Sequence, residues 1–145
     1  MKPIVTWVLL ANAGTAKIVA NHGPGKGFVE LDGKAWDAEK PVDYADQPGT
    51  EQSSTTHGSV GLPSGDPKDA AETLFATHLA SELASFARNG EFDRLIISAG
   101  PSMLGKLRAA IPTRVKGMVT AEVDKDLTHI KIRDLPSHLQ DVIAA

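Results

Sequence analysis

The first apolar run of the chain lacks helical spacing. Ile4 to Ala11 is apolar, rich in β-formers and ends at the turn triplet Asn12-Ala13-Gly14. Thr15 to Ala20 reads as a second strand, and Asn21 to Gly27 as its exit turn. Phe28 to Leu31 alternates and predicts a short third strand. Connections this tight predict an antiparallel meander. Periodicity then stops between Asp32 and Asp66, a stretch with three prolines and five glycines. A structureless span of that length inside a domain is expected to be functional or mobile.

A helix follows. Asp66 is a suitable N-cap, Pro67 fits the first helical position, and Asp69 lies in the first turn. Ala71, Leu74, Phe75, His78, Leu79, Glu82, Leu83 and Phe86 keep an i, i+3, i+4, i+7 rhythm, and Arg88-Asn89-Gly90 marks the stop. Arg94 to Ala99 is a continuous apolar run of the kind buried in a parallel sheet. Gly100-Pro101-Ser102 opens a second helix that turns Met103, Leu104, Leu107 and Ile111 inward. Val115 to Val123 is expected as the fifth strand, and a short helix near Pro136 should point Leu139 and Ile143 inward. The order is β-β-β-α-β-α-β-α. With right-handed crossovers, the sheet order becomes 3-2-1-4-5, an α/β, ribonuclease-H-like mixed five-stranded arrangement.

Composition narrows the function classes. The 145 residues suit a single domain, 1–145, whose long loop spans about 32–66. There is no cysteine, which excludes disulfides, a thiol nucleophile and Cys-ligated metal. Thr6 interrupts the first apolar run and a further strand follows it, so the segment reads as a buried strand rather than an export signal. No run has the length of a membrane helix, and a soluble, cytoplasmic protein without a membrane partner is expected. The net charge of −3 is a cancellation: residues 1–29 carry +3, residues 30–72 carry −7 and residues 88–116 carry +4. A basic face for phosphate groups beside an acidic loop is one reading; a solvated surface with internal pairing is the other.

Several stretches together resemble a known family. They are Trp7 to Lys17, Asp46-Gln47-Pro48-Gly49, Gly90 to Ile97, Leu104 to Arg108 and Ala121 to Thr128. The chain resembles the bacterial host attachment proteins ("protein required for attachment to host cells"). That family is similar in fold to the middle domain of archaeal and eukaryotic class-1 peptide release factors, which agrees with the strand order above. Release factors carry a Gly-Gly-Gln tripeptide in the loop before the long helix. This chain has Gln47-Pro48-Gly49-Thr50-Glu51-Gln52 there, with no Gly-Gly-Gln. The family pattern has arginines around Pro48-Gly49, where this chain has Gln47 and Thr50.

Candidate chemistry is sparse. The first strand has none of the carboxylates that a two-metal nuclease needs. Glu122, Asp124 and Asp126 share a side if extended, and Asp126 also fits as the cap of Leu127-Thr128. The glycines around Ser102 are misplaced for a nucleophile elbow, whereas the start of its helix, with Lys106 and Arg108 one turn on, suits an anion. His78 falls on the apolar stripe and is expected in the core; His57 is expected at the surface. His22, His129 and His138 show no metal spacing. Trp7 is expected in the core and Trp36 as a surface anchor.

Ligands of such sheets gather at the carboxyl ends of the strands. The candidate binding residues are therefore Asn12, Gly14, Ser98, Ser102, Lys106, Arg108, Asp124 and Asp126. Asp46, Pro48, Gly49, Gln52 and His57 form a candidate functional loop. No catalytic residue, metal or cofactor is expected. The expected function is non-catalytic binding of RNA, the ribosome or a protein partner. The alternatives are a hydrolase acting on an ester such as peptidyl-tRNA through residues 46–58, and an adaptor in attachment to host cells.

Overall fold

The computed structural model describes residues 3–38 and 66–145. Its five strands are β1 (Thr6–Ala11), β2 (Thr15–Asn21), β3 (Val29–Asp37), β4 (Arg94–Ala99) and β5 (Val119–Val123), in one sheet ordered β3-β2-β1-β4-β5. The meander pairs β1–β2 and β2–β3 antiparallel, while β1–β4 and β4–β5 are parallel. This is the predicted mixed α/β topology. A right-handed crossover from the meander has to set β4 beside β1, because the other side of β1 is already taken by β2.

Two strand boundaries differ from expectation. β3 does not stop at Leu31 but runs to Asp37. Its second half, Asp32 to Asp37, shows no apolar alternation because an edge strand can leave most positions in solvent. Its register also breaks: Glu30 pairs with Val19 and Ala35 with Lys17, and Gly33 takes the left-handed backbone (φ 77°) inside the extra length. β5 starts at Val119 rather than Val115. Val115 belongs instead to a one-turn helix, Thr113–Lys116, which buries it completely. Val115 there satisfies its apolar side chain against the helical layer, and the Met118 N–H donates to its carbonyl at 2.9 Å.

One sheet face carries Trp7, Leu9, Ile18, Leu95 and Ile97, covered by α1 (Pro67–Arg88) and α2 (Pro101–Ala110); the one-turn helix is α3. Asp66 caps α1 as expected, its Oδ1 accepting from the Lys68 N–H at 2.9 Å. The buried stripe of α1 is Phe75, Ala76, Leu79, Ala80, Leu83 and Ala87, so the helix is rotated from the predicted face. The alanines let α1 lie close to its neighbours, and that choice turns Leu74 out to 71% exposure and puts His78 on the surface, not in the core. Trp7 is buried against Phe92 and Phe86, with ring centroids 4.9 and 5.4 Å away. Trp36 packs on Phe86, and Lys34 lies 4.8 Å over the Phe86 ring while pairing with Glu91 at 3.6 Å, which ties β3 to the end of α1.

The opposite face, with Val8, Leu10, Val19 and Ile96, is covered by Phe28 and by the C-terminal tail through Leu127, Leu135 and Leu139. The tail forms a 3-10 turn (Ile132–Asp134) and α4 (Leu135–His138), the short helix expected near Pro136.

Candidate functional site

β1 and β4 run parallel, so Asn12 and Gly100 follow the ends of neighbouring strands at one edge of the sheet. β3 ends there too: the Ala38 N–H donates to the Gly14 carbonyl at 2.9 Å. α1 begins beside it, since Ser102 at the start of α2 donates to Glu72 at 2.9 Å. The predicted residues of the carboxyl edge are therefore drawn to one edge, in two clusters.

The first cluster centres on Asn12. Its Oδ1 accepts from the N–H groups of Gly14 and Thr15 at 2.8 Å each, closing the β1–β2 turn. Its Nδ2 donates to Asp126 Oδ2 and to Thr128 Oγ1, both at 3.1 Å. That uses the hydrogen-bonding capacity of the amide in full. Asp126 Oδ1 in turn accepts from the Thr128 N–H at 2.9 Å and from the Thr128 hydroxyl at 2.6 Å. Desolvation pushes the Asp126 carboxyl up, but the bonds from Thr128 and Asn12 and the charge of His129 outweigh it and hold the group below the ordinary carboxylate value. Next to it, Ser98 is fully buried and its hydroxyl donates to the Lys125 carbonyl at 2.7 Å. Asp124 is exposed.

The second cluster lies across α1 and α2. Lys106 reaches Asp69 at 2.9 Å and Glu72 at 3.5 Å. The hydrogen bond to Asp69 raises its pKa most, against a lowering by desolvation, and the charges of Glu72 and Asp69 add to the rise. Arg108 holds Glu122 through Nε at 3.1 Å and through a second nitrogen, a two-pronged pair that raises its pKa by hydrogen bonding and then by charge. The place an anion would take beside Ser102 and Lys106 is thus held by a carboxylate of the chain itself. Asp69 and Glu72 were not singled out in the sequence as partners, although their positions in the first turns of a capped helix were legible. The candidates Asp46, Pro48, Gly49, Gln52 and His57 lie outside the described residues.

Among the described residues, no three of His, Cys, Asp or Glu are grouped to hold a metal ion, and no helix is long and apolar enough to cross a membrane. His22, His129 and His138 are exposed and lie on separate segments.

The sheet order, the two-sided covering and the Asn12 cluster together define an α/β domain built around a meander and two parallel crossovers. The chain belongs to the family described as "Protein required for attachment to host cells", whose model matches residues 7–139. A solved structure titled "Archaeal protein" is similar in fold, with a TM-score of 0.52 and 11% identity over 97% of this chain. The chain spans only 35% of that structure's length. Another, titled "Crystal structure of archaeal translation termination factor, aRF1", aligns with a TM-score of 0.45 and 13% identity over 92% of this chain and 34% of its own. No curated protein matches the chain.

Proposed function

We propose that the protein is a non-catalytic binding protein, acting in the cytoplasm, that engages RNA through the basic surface following α2. The observation that supports non-catalytic binding is the commitment of the polar side chains at the carboxyl edge. Asn12, Asp126, Ser98, Ser102, Lys106 and Arg108 each have an intramolecular partner at hydrogen-bond or ion-pair distance. A general base needs a lone pair and a general acid a proton aimed at substrate, and these side chains are engaged with other groups of the chain.

The RNA reading draws on what is left over. Of the cations of α2 and α3, Lys106 and Arg108 are paired, whereas Arg114 and Lys116 are exposed and have no ion pair among the described residues. Exposed cations of that kind suit phosphate oxygens, at an affinity that falls with salt. A second reading, an adaptor in attachment to host cells, is favoured by the description of the family itself.

A pull-down from native lysate, with and without nuclease, tests the proposal. RNA that is retained by the untreated protein and lost with Arg114→Glu/Lys116→Glu supports it. Capture of one protein, unaffected by nuclease, favours the adaptor. Hydrolysis of a peptidyl-tRNA ester by the purified protein would overturn the non-catalytic reading, and fractionation to the cell envelope would overturn the cytoplasmic one.

A further inference from the structure

At the opposite edge of the sheet from Asn12, three strands present one row of side chains: Arg94 of β4, Thr6 of β1 and Asn21 of β2 are register partners. Alternation along each strand puts this row on the face of Val8, Val19 and Ile96, the face covered by the C-terminal tail. The tail does not seal it. Between this row, the tail and the turn after β2 lies a cleft of about 610 Å³, within the size range of small-ligand sites.

The lining is mixed: Ile4, Val142 and Ile143 are apolar, whereas Arg94 and Lys26 are cationic. Neither cation has an ion-pair partner among the described residues. The nearby Asp93 is spent on the Val5 N–H, at 2.8 Å. Asn21 shapes the turn that carries Lys26, donating to the Gly27 carbonyl at 2.8 Å and accepting from the Gly23 N–H at 3.0 Å. Thr6 also lines the cleft and is only 6% exposed.

We infer that this cleft binds a small anionic amphiphile, its carboxylate or phosphate held by Arg94, Lys26 and the Thr6 hydroxyl and its hydrocarbon part laid against Ile4, Val142 and Ile143. The cations supply charge-assisted hydrogen bonds and the aliphatic wall supplies burial, so neither half of the ligand suffices alone. The site is separate from the surface that carries the RNA proposal and stands whether or not that proposal holds.

The test is an amide-resolved NMR titration of the whole chain with dodecanoate and dodecyl phosphate, each below its micelle concentration, and with dodecanol and inorganic phosphate as half-ligands. At least one of the two anionic amphiphiles is expected to shift the amides of Thr6, Asn21, Lys26, Arg94 and Ile143 with saturation. Both half-ligands should bind at least about tenfold more weakly. Arg94→Gln, a substitution at an exposed strand end, should weaken the amphiphile by about tenfold with an unchanged spectrum elsewhere, and Thr6→Val should weaken it less. Failure of both amphiphiles to saturate up to about 1 mM overturns the inference, as does equal binding of dodecanol or an unaltered affinity in Arg94→Gln.

Discussion

Asn12 and Asp126 lie 114 residues apart in sequence and meet at 3.1 Å, joining the turn that leaves β1 to the segment that leaves β5. The contact spans the sheet's edge over the end of β4, and Ser98 adds a second link to the same segment through the Lys125 carbonyl. Residues that fall where ligands of α/β sheets gather thus hold the edge together.

Replacing Asn12 by alanine removes all four of its bonds at once. It should lower unfolding free energy by about 2 kcal/mol, read from urea denaturation. Asn12→Asp should cost more at neutral pH than at pH 4, because it sets a second carboxylate against Asp126.

Asp126 titrates below its ordinary value in the folded chain. Its stabilisation is therefore complete above the unfolded carboxylate pKa and fades as pH falls through the lower, folded one. Urea midpoints of the parent and Asp126→Asn should differ at pH 6 and converge as the pH drops below the ordinary carboxylate range. A gap that widens on acidification would contradict this assignment.

The C-terminal tail behaves as core. Leu135 is completely buried and Leu139 nearly so, both against Val8, Leu10 and Ile96. Leu135→Ala should cost about 2–5 kcal/mol. A chain ending at Asp126 leaves that face of the sheet open and should be recovered aggregated or unfolded, which size-exclusion chromatography and circular dichroism would show.

Lys106 sits between Asp69 and Glu72, and the Glu72 side chain is only 13% exposed. A double-mutant cycle with Lys106→Met and Glu72→Gln should return a coupling of about 1 kcal/mol that shrinks in high salt. A coupling near zero would leave Asp69 as the one partner that holds Lys106 among the described residues.

The strand order was legible because β1 and β4 are continuous apolar runs and the connections of the meander are short enough to force antiparallel pairing. The helix beginning at Pro67 was legible from its cap, and part of its buried face, Phe75, Leu79 and Leu83, from its rhythm; Ala76, Ala80 and Ala87 were not, because periodicity counts alanine weakly even where layers approach closely. The second half of β3 was missed because an edge strand with a bulge at Gly33 has no alternation to show. The candidate residues of the carboxyl edge were located by the strand ends, yet their partners were not. Whether Lys106 meets a phosphate or Asp69 depends on how α1 crosses α2, a tertiary relation with no local signature. The cleft around Thr6 and Arg94 was illegible for the same reason, since it arises only where β1, β2, β4 and the tail converge.

The central claim, that the protein binds RNA without transforming it, is tested most directly by fluorescence anisotropy of a labelled single-stranded RNA titrated with the parent and with Arg114→Glu/Lys116→Glu at several salt concentrations. The account predicts binding that weakens as salt rises, a loss of about tenfold or more in the variant, and RNA recovered intact. Equal binding by both proteins, no binding at low salt, or cleaved RNA would contradict it.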